Sequence, residues 1–144
     1  MVHYKFHEII NINLQMILRS LKLLKIYLIL VAIHSFCVGL GLILISLEYF
    51  DLFGFYEYSG NFFKIQAGVF HIVMCGAYVS AARDPVGNSV MIGFSIFAKM
   101  IATVFLISYA VFIDMAWIVL ASGIFDFVMG LVLIWFLKGL KDTR

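Results

Sequence analysis

Four long apolar runs constrain this chain more than any other feature: Ile26 to Leu47, Phe62 to Ala82, Val90 to Phe112 and Met115 to Leu137. Each exceeds the roughly 20 residues that a helix needs to cross the hydrocarbon of a bilayer. Inside lipid every backbone N–H and C=O must find a partner within the protein, so helices or a closed barrel are the available solutions. The runs are continuously apolar and do not alternate with period two, which excludes membrane strands. The expected fold is all-α: one transmembrane domain over residues 1–144, a four-helix bundle with a short N-terminal interfacial helix. Composition agrees. Charged residues make up 12% of the chain, about half the ~25% of soluble domains. Mean hydropathy is +1.10, which excludes disorder as firmly as it excludes a water-soluble globule. Two cysteines are too few for a secreted disulfide scaffold, and a net charge of +2 gives no sign of a nucleic-acid partner. The lipid bilayer is the expected partner.

Direction follows from the placement of lysine and arginine. With the N-terminus inside, Lys5, Arg19, Lys22, Lys25, Arg83, Lys138, Lys141 and Arg144 all lie inside, Lys64 lies in the outer loop, and Lys99 lies within a span. Both termini are therefore expected on the cytoplasmic side. The first run follows some 25 residues with no convincing cleavage site, so it is expected to stay in the mature chain. Residues 1–25 mix apolar Ile9, Ile10, Ile12, Leu14, Ile17 and Leu18 with polar neighbours, which predicts an interfacial segment ending in basic Arg19, Lys22 and Lys25. Pro85 and Gly87 turn the chain between the second and third spans, and little more than Ile113 and Asp114 joins the third to the fourth. The outer loop, Glu48 to Asn61, carries Tyr49, Phe50, Phe53, Phe55, Tyr56 and Tyr58. These rings predict an aromatic belt at headgroup level; a lid or a docking surface is the alternative.

Ionisable residues fall near the middle of every span: His34, His71, Lys99 and Asp126. At 1.5 Å per residue the four lie within about 5 Å of one plane. Such residues are costly in hydrocarbon, face the interior and pair. Spacings of three and four put Gly68, Cys75 and Tyr78 with His71, Ser95 and Thr103 with Lys99, and Ser122, Gly123 and Gly130 with Asp126. On the first span the same spacing selects His34, Cys37, Val38 and Gly41. Lys99 and Asp126, on consecutive antiparallel helices, are expected to form an ion pair, supported by Gln66, Tyr78, Ser95, Thr103 and Ser122. The pair either fixes helix register or handles protons or ions. His34 and His71 admit an alternative as axial ligands of haem b. No zinc or other metal spacing occurs. Cys37 and Cys75 differ in depth, so no disulfide is expected.

Gln66-Ala67-Gly68, Ala77-Tyr78, Ala81-Ala82-Arg83-Asp84-Pro85, Ala98-Lys99 and Asp126 together resemble a pattern in small four-helix bacterial membrane proteins. More distantly the layout is similar to DoxX-like proteins. The resemblance spans Lys64 to Leu137; it implies the four-helix fold and a bacterial inner-membrane location, and carries no activity. His34 and His71 are not part of the pattern.

No nucleophile–base pair, phosphate loop or dinucleotide fingerprint is present in the sequence. The expectation is a non-enzymatic accessory or scaffold subunit with a buried polar cluster and no cofactor, working as a homo-oligomer or in a larger membrane complex. Two alternatives stand beside it: a small proton-coupled transporter acting as an oligomer, and a haem- or quinone-linked redox component.

Overall fold

The computed structural model describes the backbone of residues 2–55 and 59–141 and the side-chain surroundings of residues 14–55 and 59–139. Among these residues the chain forms α1 (Val2–Leu44), a 3₁₀ helix (Leu47–Phe53), α2 (Phe62–Arg83), α3 (Ser89–Phe112) and α4 (Trp117–Lys141), with no strand. The expected fold class is the observed one. All four α-helices are long and apolar enough to cross a membrane. Their outward faces carry Phe70, Val104 and Phe105, each more than 60% exposed. Apolar surface on this scale is stable against lipid and not against water; the chain is a multi-pass membrane protein.

The helix boundaries follow local chemistry. No glycine or proline occurs before Gly39, so nothing interrupts α1. The N-terminal helix is accordingly continuous with the first span and not a separate element. Its apolar part, Leu14–Leu44, has 31 residues, or about 46 Å of helix against roughly 30 Å of hydrocarbon. The apolar side chains of Ile9, Ile10 and Ile12 lie outside the described residues. At the other turn α2 stops at Arg83, because Pro85 disfavours helical geometry at Asp84. Asp84 Oδ1 accepts the Gly87 N–H at 3.0 Å, and Asn88 Nδ2 donates to the Ser80 carbonyl at 2.9 Å. This turn is therefore pinned on both sides.

The outer connection is more structured than a belt of independent rings. The 3₁₀ helix ends at Gly54 (φ 87°), whose left-handed backbone suits glycine. A Cβ there would also press on Ala116 and Trp117 at 3.1 Å. Trp117 Nε1 donates to the Leu52 carbonyl at 2.9 Å, and its ring lies 6.2 Å from that of Phe53. Phe50 is buried while Tyr49 and Leu52 are exposed, so the loop folds one aromatic inward, against Phe53, Phe55 and the Lys64 ammonium of α2. Tyr56 and Tyr58 lie outside the described residues.

Packing divides the bundle into two hairpins, α1 on α2 and α3 on α4, with narrower contact between them. In the first hairpin Gly39 and Gly68 face each other. A Cβ on Gly68 would stand 2.6 Å from the Gly39 carbonyl oxygen, and one on Gly39 would stand 2.7 Å from that of Gly68. Two glycines thus set the crossing, as close approach in a bilayer requires. In the second hairpin Gly123 accommodates Leu106 and Ile107. The hairpins join through Leu24, Leu28, Ala81, Ala82, Ile92 and Leu133, which form one core at the Arg83 end. Along α2 the inward face is covered at Ala81, Tyr78, Met74, Gly68 and Lys64, with His71 half-buried between them.

Candidate functional site

On α3, residues four apart stack on one face, and Ser95, Lys99 and Thr103 are all buried. Lys99 Nζ donates to Asp126 Oδ1 of α4 at 2.5 Å. The expected ion pair is present. Its lysine also lies 5.8 Å from the centroid of the Tyr78 ring on α2, within cation–π range. Tyr78 is 2% exposed, so a single aromatic face links the charge pair of one hairpin to the other. Ser95 and Thr103 behave differently from expectation. Their hydroxyls donate to the carbonyls of Met91 (2.7 Å) and Lys99 (2.8 Å), four residues back in the same helix. They line the pair without bonding to it. Ser122 is half-buried one turn from Asp126, and Gln66 is exposed and takes no part in the cluster.

The first hairpin holds neutral polar groups. Ser35 Oγ donates to the His71 carbonyl at 3.1 Å and lies 3.2 Å from His71 Nδ1. A hydroxyl has one proton; with that proton on the carbonyl, its lone pair accepts Nδ1–H, which leaves Nε2 as the proton-accepting nitrogen. Cys75 Sγ approaches the Ala32 carbonyl across the crossing at 3.3 Å and the His71 carbonyl at 3.2 Å. Cys37 and Cys75 are both free thiols.

The inward face of α1 requires a correction. Spacing selects His34, Cys37, Val38 and Gly41, whereas Leu28, Ala32, Ser35 and Gly39 are the residues buried against α2. His34 and Cys37 are exposed, and a Cβ on Gly41 would meet nothing. The error amounts to one residue, or about 100° of helix rotation. It arises because α1 is apolar on all sides, so periodicity does not choose a face. His34 lies at the depth of the cluster but on the open side of α1. Of the four expected residues the structure pairs Lys99 with Asp126 in the buried interior, half-buries His71 and leaves His34 open.

Two participants are not evident from residue spacing. Ser35 falls off the spacing set by His34, Cys37 and Gly41, although it stands four residues before Gly39. Lys64, expected in the outer loop, is 5% exposed near the start of α2. Its ammonium donates to the carbonyl of Ile45 and lies 5.6 Å from the Phe50 ring. A cation is favoured there because the carbonyls at the C-terminal end of a helix lack intrahelical donors. Among the described residues no group of three or more His, Cys, Asp and Glu side chains could hold a metal ion. Comparison with known protein families, characterised proteins and solved structures yields no match, so the functional reading rests on the residues of this chain.

Proposed function

We propose that this chain is a non-enzymatic subunit of a membrane assembly, in a bacterial inner membrane with both termini cytoplasmic. One observation carries the reading. His34 is exposed at the middle of a membrane-spanning helix, and among the described residues its ring has no hydrogen-bond partner. A polar ring in hydrocarbon costs free energy unless another polar group meets it. A neighbouring polypeptide supplies such a group. On this reading Lys99 and Asp126 hold α3 and α4 in register, and the narrow joint between hairpins leaves surface for further helices. The mass of the intact protein released from lipid nanodiscs tests the proposal. A mass above that of one chain supports it; one chain alone overturns it.

Orientation is tested separately by cysteines placed at Ser59 and Ser89 in a background lacking Cys37 and Cys75. In intact cells an impermeant thiol reagent should label position 59 and spare position 89; the reverse pattern overturns the assignment. The second reading, a proton-coupled carrier acting as an oligomer, draws on the buried Lys99–Asp126 pair at mid-membrane. In that case the ionisable groups of the pair are required for activity and not just for folding.

A further inference from the structure

We propose that the partner covering α1 is a second copy of this chain, docked along the stripe Leu30, His34, Cys37, Gly41 and Leu44 about a two-fold axis parallel to the membrane normal. The inference rests on the reading of the chain as an assembly subunit and names its partner. The stripe repeats with steps of four and three residues, which is the seam spacing of paired helices. Leu30, His34, Cys37 and Leu44 are exposed and Gly41 is half-buried. The opposite face of α1, through Ala32, Ser35 and Gly39, is already occupied by α2.

Two features of the stripe have no use within a single chain. Gly39 is required by the α2 crossing, whereas a Cβ at Gly41 would meet nothing within 4 Å. A small residue on a lipid-facing stripe allows a second backbone to come close. Outward from Cys37, a shallow open apolar surface lined by Leu40, Gly41, Leu44, Ile45, Ser46 and Tyr49 continues past the end of α1. Its lining is apolar, as a surface for a second helix requires.

The occupant follows from His34. Its ring needs a partner at its own depth, and a two-fold axis along the membrane normal brings identical residues together at identical depth. A neutral imidazole carries one donor and one acceptor nitrogen, so it complements its own copy. His71, Lys99, Asp126 and Tyr78 remain on the inner side of α1 and keep the partners they have.

Native Cys37, one turn outward from His34, reports on the arrangement. Close approach at Gly41 brings the two Cys37 thiols within disulfide reach across the axis. Membranes containing the full-length protein are treated with copper phenanthroline and analysed without reductant. The expected result is a covalent dimer that persists in Cys75→Ser and vanishes in Cys37→Ser. Gly41→Leu and His34→Leu should each weaken the cross-link about tenfold or more, because one blocks the approach and the other removes the shared hydrogen bond. Native mass from nanodiscs then separates the levels of inference. Two chains with the Cys37 cross-link support the second copy. A mass above one chain without the cross-link overturns docking along this stripe and leaves the assembly reading standing, while one chain overturns both. Equal cross-linking from Cys37 and from Val104→Cys in a Cys37→Ser background would mark random collision and overturn the stripe.

Discussion

The two hairpins meet the same requirement with different chemistry. Each brings antiparallel helices together on glycine, Gly39 against Gly68 in the first and Gly123 against Leu106 and Ile107 in the second. Each also places polar side chains at mid-membrane. The first uses Ser35, His71 and Cys75, a neutral set directed mostly at backbone carbonyls. The second uses Lys99 and Asp126, two formal charges that satisfy each other. A neutral set degrades gradually, since losing one member leaves groups that still find local acceptors. A charge pair fails abruptly, because losing one member strands the other in a medium that cannot solvate it. The two hairpins should therefore respond to equivalent damage with very different severity.

The largest effect is expected in the second hairpin. Asp126→Asn leaves Lys99 charged without its counter-ion and should cost about 3–5 kcal/mol. Lys99→Met should be milder, since a stranded carboxylate becomes neutral by taking a proton. Lys99→Met combined with Asp126→Leu should restore most of the loss, because an apolar pair of similar volume often replaces a buried ion pair without penalty. Unfolding in mixed detergent measures all three. A double variant no more stable than the worse single one would break the comparison, since the residues would not then act as partners. Where folding returns, activity decides the second functional reading: loss with folding intact points to proton handling.

An intermediate effect is expected at the glycine crossing. Gly68→Val drives a side chain onto the Gly39 carbonyl, already 2.6 Å from an ideal Cβ, and should cost about 1–3 kcal/mol through forced separation of α1 from α2. Gly76 has open space around it on the same helix, so Gly76→Val should change stability little. Equal losses at both positions in the same unfolding assay would show that helix propensity, not the crossing, limits the first hairpin.

The smallest effect is expected from Ser35→Ala. Hydrogen bonds between membrane helices average about 0.6 kcal/mol in double-mutant cycles, and His71 keeps its own helix around it. The ring ¹⁵N signals of His71 should change while the unfolding midpoint moves only slightly. A loss as large as that of Asp126→Asn would erase the distinction between the hairpins.

Much of this architecture is legible in the amino-acid sequence alone. Four runs of continuous apolar residues define four helices, since a backbone in lipid has no other open-chain way to satisfy its hydrogen bonds. The Lys99–Asp126 pair is legible as well, because two opposite charges at one depth on consecutive antiparallel helices have no better partners. Pro85 and the short link at Ile113 and Asp114 mark the reversals. What the sequence does not decide is rotation. In water an apolar stripe and a polar stripe distinguish inside from outside, but in lipid both faces of a helix are apolar. His34 and Ser35 are adjacent, and nothing local says which of them turns toward α2. The mutual fit of Gly39 and Gly68 decides it, placing Ser35 on His71 and leaving His34 open. Lys64 likewise becomes an inner contact through the carbonyl of Ile45 just past the end of α1, an acceptor 19 residues away in sequence. Depth is written along the chain because it accumulates at a fixed rise per residue. The facing of each helix depends on which surfaces interlock, and that is a property of pairs of helices, settled by tertiary packing.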